Sequence, residues 1–288
     1  METRVITHRG LDPAIPGYYP ESSVEAFRDQ LNRGYGLEFD IQFASDDTMI
    51  AVHDPTLKRI TGGKDERKIR DVSSPEILAM EFSGCHLTTV PQVLSMIAKS
   101  QVTGAILALH LKHLWQEFRF VDILLDEIKK SGIRPDQFII FDVKPEMARY
   151  IKGKVPGLEL ASSVSHPHDI ERYNSVVGGT LISIADIIAH KDLFSWAWLD
   201  EWDLADKDGG NKVLYTKEVF DRLRANGIRI ALVTPEMHAK SPGLLGGEAH
   251  PDGKDHDTLV RRLREIVALR PDAICTDWPD LVKNMKSL

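Results

Sequence analysis

The alternation of strand-like and helix-like segments is the feature of this 288-residue chain that most constrains its fold. Short apolar runs are followed by longer amphipathic runs about eight times along the sequence. Strands that alternate with helices pair in parallel, because each helix returns the chain across one face of the sheet. We therefore predict an α/β protein, a (β/α)₈ TIM barrel that forms a single domain over residues 1–288.

Seven of the eight predicted strands are single segments: Arg4–His8, Leu37–Phe43, Ala105–Leu111, Phe138–Val143, Leu158–Val164, Ile228–Val233 and Ala273–Thr276. The sixth strand has two candidates, Leu181–Ile184 and Trp196–Leu199. A short returning strand, Thr48–Val52, follows the second barrel strand. No Gly-x-Gly-x-x-Gly motif follows the first strand, which weighs against a dinucleotide-binding fold.

Two local signals lie outside the strands. Ser22, with Glu25 three residues later, predicts a capping box at the start of the first helix. The Gly- and Pro-containing run Ser241–Lys254 follows the seventh strand and predicts a loop over the mouth of the barrel.

Charge and hydropathy restrict the partners. The formal net charge of −7 argues against nucleic-acid binding, which requires a basic surface. No stretch approaches the roughly 18 apolar residues of a membrane span, and the N-terminus lacks the apolar core of a signal peptide. We therefore expect a cytoplasmic protein without an integral membrane segment. The sequence leaves its oligomeric state open.

Polar residues collect where the predicted strands end. His8 ends the first strand, Glu38 and Asp40 lie on the second, and His110 lies on the third, followed by Lys112. Active sites of such barrels lie at the carboxyl ends of the strands. Residues two apart on a strand share a face, so Glu38 and Asp40 project together. A hard cation would compensate two neighbouring carboxylates, although a structural pairing with Arg or Lys has the same effect.

Several short motifs resemble those of the glycerophosphodiester phosphodiesterases. The matching pieces, in chain order, are His8-Arg9-Gly10, Pro20-Glu21-Ser22-Ser23 leading into Glu25-Ala26-Phe27, Glu38-Phe39-Asp40, His53-Asp54 with Leu57, Arg59 and Thr61, and Thr276-Asp277-Trp278-Pro279. The resemblance is strong over residues 3–63, weak in the middle of the chain, and returns at residues 272–280.

This resemblance implies a TIM barrel that binds one divalent metal ion, Mg²⁺ or Ca²⁺. It implies that His8 and His53 form an acid–base pair, one taking a proton from the nucleophile and the other protonating the leaving alkoxide. Glu38 and Asp40 would hold the metal. Arg9 and Lys112 would contact the phosphate.

The third strand departs from the family pattern, because His110 stands where the family has a metal-binding Glu. In one interpretation His110 is a nitrogen ligand, which would favour Mn²⁺, Zn²⁺ or Fe²⁺. In a second interpretation another acid completes the site, and the candidates are Asp142, Asp200, Glu201 and Asp203. In a third the metal site has decayed and the barrel only binds a phosphate ligand.

We predict a metal-dependent hydrolase of a small or lipid-derived phosphodiester, which yields an alcohol and a phosphomonoester. Val233-Thr234 replaces the family's Trp-Thr on the seventh strand, which puts recognition of glycerol in doubt. The alternatives are a phospholipase-like barrel that acts on another head group and a non-catalytic barrel that binds a phosphate ligand. Trp196, Trp198 and Trp202 are predicted to be core or rim residues, one of which would line a head-group pocket in a functional interpretation.

Overall fold

Eight parallel strands close into a barrel in the computed structural model, which describes residues 2–100, 105–201, 213–235 and 255–286. The barrel strands are β1 (Arg4–Thr7), β2 (Gly36–Phe43), β3 (Leu107–His110), β4 (Phe138–Phe141), β5 (Glu159–Val164), β6 (Trp196–Leu199), β7 (Arg229–Val233) and β8 (Ala273–Thr276). β1 pairs with both β2 and β8, which closes the ring. The predicted fold class is confirmed.

The ten helices are α1 (Val24–Asn32), α2 (Ser74–Ala79), α3 (Val90–Lys99), α4 (Phe118–Ser131), α5 (Pro145–Lys154), α6 (Pro167–Tyr173), α7 (Ile184–Ala189), α8 (Lys217–Ala225), α9 (His256–Ala268) and α10 (Pro279–Lys286) among the described residues. Each longer helix buries one apolar stripe, as Val90, Val93, Leu94 and Ile97 do on α3. In the described part of the chain, no helix is long and apolar enough to cross a bilayer.

The sixth strand is the second of the two candidate segments. Trp196 of β6 pairs with Ala161 of β5 and with Arg229 of β7, so β6 lies between these strands. The first candidate contributes only Leu181–Ile182, a short strand that also pairs with β5. It takes the edge of β5 that β4 leaves free, because β4 ends at Phe141.

The barrel interior and the layer between strands and helices form two separate cores. Alternate strand residues point inward, and this inner core contains Ile6, Ala108, Trp196, Trp198 and Cys275 among others. The intervening residues, such as Leu37 and Phe39 of β2, face the surrounding helices. Trp196 and Trp198 are therefore core residues, as predicted, whereas Trp202 lies outside the described residues.

Helix α1 begins one residue later than the capping box predicts. Ser23 is the N-cap, and its Oγ accepts a hydrogen bond from the Ala26 backbone N–H. Ser22 is held in a left-handed turn at φ 59°, where its own N–H donates to Arg9 O. Glu25 instead accepts a hydrogen bond from the His86 backbone. The predicted Ser22–Glu25 box was therefore wrong, because a contact with the first loop fixes Ser22 outside the helix.

A β-hairpin carries His53 back to the barrel mouth. The end of β2 extends beyond the barrel and pairs antiparallel with the strand Met49–Ala51, which lies within the predicted Thr48–Val52. The strand Thr88–Thr89 pairs with the outer edge of that hairpin. The chain therefore returns to the carboxyl end of β2 just before His53. The predicted mouth loop Ser241–Lys254 lies outside the described residues.

Candidate active site

The residues that the sequence singles out converge at the carboxyl ends of β1, β2 and β3. The His8 Nε2 atom lies 4.0 Å from Glu38 Oε2, and His110 Nδ1 lies 2.8 Å from Asp40 Oδ1. Lys112 Nζ lies 3.2 Å from Asp40 Oδ1 and donates to the His53 carbonyl at 2.7 Å. One strand-end cluster therefore includes residues from four separate segments of the sequence.

Glu38 and Asp40 are buried carboxylates on the same face of β2. Burial, together with the charge of Asp40, raises the pKa of Glu38 to about 7. Burial also acts to raise the pKa of Asp40, but Lys112, His53 and His110 outweigh it and hold that pKa well below its ordinary value. The pair therefore resists carrying two negative charges, which a bound cation would relieve.

His110 lies between two carboxylates. Its Nδ1 faces Asp40 at 2.8 Å, and its Nε2 faces Asp142 Oδ2 at 3.3 Å. Burial acts to lower the pKa of His110, but these two carboxylates raise it to about 9. A cation bound beside Asp40 would displace the proton from Nδ1, as metal binding to histidine generally does.

Each of the two predicted catalytic histidines is paired with its own aspartate. His8 Nδ1 lies 2.9 Å from Asp277 Oδ1, just after β8. His53 Nδ1 lies 2.7 Å from Asp54 Oδ1. Burial, reinforced by the charge of Arg9, lowers the pKa of His53 to about 3. His53 is therefore neutral near pH 7, with a proton on Nδ1 and a lone pair on Nε2.

Arg9 connects the carboxylates to the surrounding loops. Its backbone has a φ of 52°, which turns the N–H toward Glu38 Oε2 at 3.1 Å. The Arg9 Nε atom lies 3.3 Å from Asp40 Oδ2, and its Nη1 donates to Glu21 at 3.2 Å. The guanidinium is buried and is held by these contacts. Because arginine stays protonated, it places a permanent positive charge beside the cluster.

Arg59 binds Asp54, the aspartate that pairs with His53. Its Nε donates to Asp54 Oδ2 at 2.6 Å and its Nη2 to Asp54 Oδ1 at 3.0 Å. Arg59 also pairs with Glu21. Alternating charges thus connect His53 to Arg9, and these contacts restrict the rotation of the His53 ring.

The donor set suits a divalent cation. Glu38, Asp40 and His110 form the only group of three potential ligands among the described residues, and their ligand atoms lie within 4.8 Å of one another. Two carboxylates are compatible with Mg²⁺ or Ca²⁺, whereas an imidazole nitrogen shifts the preference toward Mn²⁺ or Zn²⁺.

The alternative acids do not join this cluster. Asp142 contacts the far side of His110, and Glu201 accepts a hydrogen bond from Arg262 Nη2 at 2.5 Å. Asp200 contributes no ligand atom to the group. Asp203 lies outside the described residues. His110 as the third ligand stays a prediction.

Sequence reasoning missed the partners that orient the site. It did not assign roles to Asp277, Asp54, Glu21 or Arg59, although all four lie within matching motifs. For Asp277 the signal was its position directly after β8. For the other three the only signal was their place in the matching motifs, because their contacts depend on how the loops fold.

Residues 8–281 match the model of the glycerophosphoryl diester phosphodiesterase family. The chain belongs to this family. The match extends over nearly all barrel strands, including the middle of the chain where the motifs are weak. The predicted family is therefore confirmed, and its members are phosphoric diester hydrolases.

Individual relatives are distant. A glycerophosphodiester phosphodiesterase of Caldanaerobacter subterraneus subsp. tengcongensis is 30% identical over 106 residues, which is 34% of this chain and 41% of that protein. The chain thus matches less than half the length of this curated relative. A candidate glycerophosphodiester phosphodiesterase of Galdieria sulphuraria aligns with a TM-score of 0.70 at 14% identity, covering 100% of this chain and 99% of its own.

An Oleispira antarctica phosphodiesterase, solved with the product sn-glycerol-3-phosphate, aligns with a TM-score of 0.65. It is 15% identical, and the alignment covers 100% of this chain and 98% of that one. At such identities the structural likeness shows the fold and leaves the substrate to be argued from the site.

Proposed function

We propose that this protein is a divalent-metal-dependent hydrolase of a small or lipid-derived phosphodiester, which it cleaves to an alcohol and a phosphomonoester. The observation that carries this proposal is the arrangement of two histidine–aspartate pairs around one carboxylate–imidazole cluster. Family membership supports the reaction class. A metal site that had decayed to ligand binding would have no need for both oriented histidines.

The phosphate lies beside Glu38, Asp40 and His110 in the proposed complex. The buried Arg9 and the half-buried Lys112 are the cationic side chains at this point, and they stabilise the charge that builds on the phosphoryl oxygens. Lys112 is held by Asp40 and the His53 carbonyl, so its ammonium is positioned before the substrate arrives. A metal ion held by Glu38, Asp40 and His110 would supply Lewis-acid polarisation of the phosphoryl group.

His8 and His53 perform the proton transfers. Asp277 and Asp54 hold the Nδ1 protons, which leaves the two Nε2 atoms to exchange protons with the reacting oxygens. One Nε2, unprotonated at the start, accepts the proton of the attacking hydroxyl or water, and the other, which starts protonated, gives its proton to the leaving alkoxide. The low pKa of His53 keeps its Nε2 available as a proton acceptor near neutral pH.

The alcohol side of the substrate is less defined than the phosphate side. Phe141 and Trp198 are stacked at the inner wall of the barrel, with ring centroids 3.9 Å apart. Val233 occupies the position where the family tends to have Trp. We propose that the alcohol group contacts this wall and that glycerol itself is one of several candidate head groups.

The reaction class is tested by following ³¹P NMR spectra of glycerophosphodiesters and bis-aryl phosphates incubated with the protein and Mg²⁺ or Mn²⁺. We expect the diester signal to be replaced by that of a phosphomonoester, with a cyclic phosphate as an intermediate where the substrate has a neighbouring hydroxyl. An unchanged diester signal across the whole panel would exclude hydrolysis.

Replacing Arg59 with lysine should lower kcat by about 10²-fold with little change in KM. The two hydrogen bonds from Arg59 to Asp54 require a planar guanidinium, which lysine lacks. Without them the His53 ring would be misplaced, and misplacing a catalytic group by about 1 Å costs roughly this factor. Steady-state kinetics and the thermal unfolding midpoint would both be measured. Arg67→Lys is the matched control, because Arg67 makes a similar pair with Asp65 at the surface. Equal kcat values for the two variants would show that Arg59 does not position His53.

A further inference from the structure

The His110 ring is fixed on several sides. Asp40 faces its Nδ1 atom and Asp142 faces its Nε2 atom, at 2.8 Å and 3.3 Å. The Phe141 ring stacks on the imidazole with centroids 4.7 Å apart and an angle of 19° between the planes. Trp198 stacks in turn on Phe141, at 10°. The plane and the rotation of the imidazole are therefore both restricted.

Asp142 reaches His110 from an unusual backbone conformation. It follows β4 directly and has a φ of 66°, in the left-handed region that non-glycine residues seldom adopt. Its side chain is buried, with 5% of the residue exposed. Such conformations persist where the surrounding structure enforces them, and they concentrate at functional sites. Here the strained residue faces the one ring that replaces a family carboxylate.

The distance between Nδ1 of His110 and Oδ1 of Asp40 is compatible with two ligands of one ion. With metal–ligand bonds of about 2.1 Å, neighbouring ligand atoms lie about 3 Å apart. The opposite nitrogen, Nε2, is the atom that Asp142 contacts. This is the order of groups in carboxylate–histidine–metal triads, in which the outer carboxylate fixes the tautomer and the direction of the ring.

We infer that Asp142 is a positioning residue that directs Nδ1 of His110 toward Glu38 and Asp40, and that the pair makes this metal site select Mn²⁺ or Zn²⁺ over Mg²⁺ and Ca²⁺. The inference rests on the proposed metal-dependent function. In the inferred site, the neutral Nδ1 of His110 is a ligand at the position on β3 where the family has a carboxylate. The carboxylate of Asp142, directly after β4, then contacts the opposite nitrogen of the ring. The nitrogen favours ions that accept imidazole over those that require oxygen.

The direct test is electron spin echo envelope modulation of the protein loaded with Mn²⁺ after removal of any histidine tag. Wild-type protein should show the modulation of a coordinated ¹⁴N nucleus. His110→Glu should bind Mn²⁺ without that modulation, and the ratio of its Mg²⁺ to Mn²⁺ dissociation constants should fall by about ten-fold or more. His86→Gln is the control, because the His86 side chain is partly exposed and pairs with Glu25 outside the cluster.

The role of Asp142 is measured with Asp142→Asn. We expect the ¹⁴N modulation to remain. The Mn²⁺ affinity, determined by calorimetry, should fall about 10- to 100-fold, as it typically does when the carboxylate behind a metal-binding histidine is removed. The affinity for Mg²⁺ should fall by the same factor or less. Unchanged Mn²⁺ affinity in a folded Asp142→Asn protein would overturn the positioning role.

The outcomes separate this inference from the proposed function. If wild-type protein binds Mn²⁺ and hydrolyses phosphodiesters but shows no ¹⁴N modulation, His110 is not a ligand and the proposed hydrolase stands. If no divalent ion binds, both fail. If His110→Glu unfolds, the modulation in wild-type protein still decides whether nitrogen coordinates. The Asp142→Asn variant then decides whether Asp142 positions the ring.

Discussion

Replacing His53 with alanine is expected to lower kcat for phosphodiester hydrolysis by about 10²- to 10⁴-fold, the usual contribution of one general acid or base. The side chain is held at Nδ1 by Asp54, so its Nε2 is the atom left to exchange protons. Alanine removes that atom and leaves the metal ligands in place. KM should change much less than kcat, because His53 acts on the reacting proton and contributes little to substrate binding.

The matched control for this experiment is His86→Ala. His86 lies outside the cluster, and its side chain is 44% exposed. Far-ultraviolet circular dichroism and metal affinity should be the same for both variants and for wild-type protein. If His53→Ala hydrolyses a bis-aryl phosphate at the wild-type rate, the acid–base assignment of His53 is wrong.

Replacing Glu201 with glutamine is expected to destabilise the fold by about 3–5 kcal/mol, the cost of removing one partner of a buried ion pair. Glu201 follows β6 and is buried with Arg262 of α9, at 2.5 Å between Oε2 and Nη2. Its Oε1 accepts hydrogen bonds from the backbone N–H groups of Leu214 and Tyr215 at 2.6 and 3.0 Å. One carboxylate thus connects β6, the start of the segment before α8, and α9.

Urea unfolding measures this free energy directly. Glu265→Gln is the control, because Glu265 pairs with the same Arg262 but its side chain is 47% exposed, and exposed pairs contribute about 0–1 kcal/mol. A double variant with Arg262→Met should recover part of the loss, since it removes the buried charge that Glu201 no longer balances. A free energy of unfolding for Glu201→Gln within about 0.5 kcal/mol of wild type would show that the pair does not stabilise the fold.

The sequence predicts the strands because apolar periodicity determines which faces are buried. The ends of the elements are less predictable, since they depend on contacts between distant segments. Ser22 is an example, because its backbone N–H is taken by Arg9 O and the helix begins after it. The choice of β6 likewise depends on which segment fits between β5 and β7.

The candidate site was also predictable in part: the positions of its residues follow from the sequence, whereas their contacts do not. His8, Glu38, Asp40 and His110 were predicted from their strand-end positions, and the structure brings them together. The roles proposed for them remain predictions. Glu201 was considered as a ligand only because it also follows a strand, but its carboxylate points to Arg262. Strand position places a residue near the mouth, whereas the direction of its side chain is decided by tertiary contacts.

The metal dependence of phosphodiesterase activity is the central claim of this account. The most direct measurement is hydrolysis of a phosphodiester by chelated protein, before and after each of Mg²⁺, Ca²⁺, Mn²⁺ and Zn²⁺ is added back, with bound metal quantified in parallel. We predict that chelated protein is inactive and that activity returns with about one bound ion per chain, since Glu38, Asp40 and His110 form one candidate site. Full activity in the absence of any bound metal, or no activity with any of the four ions, would contradict the account.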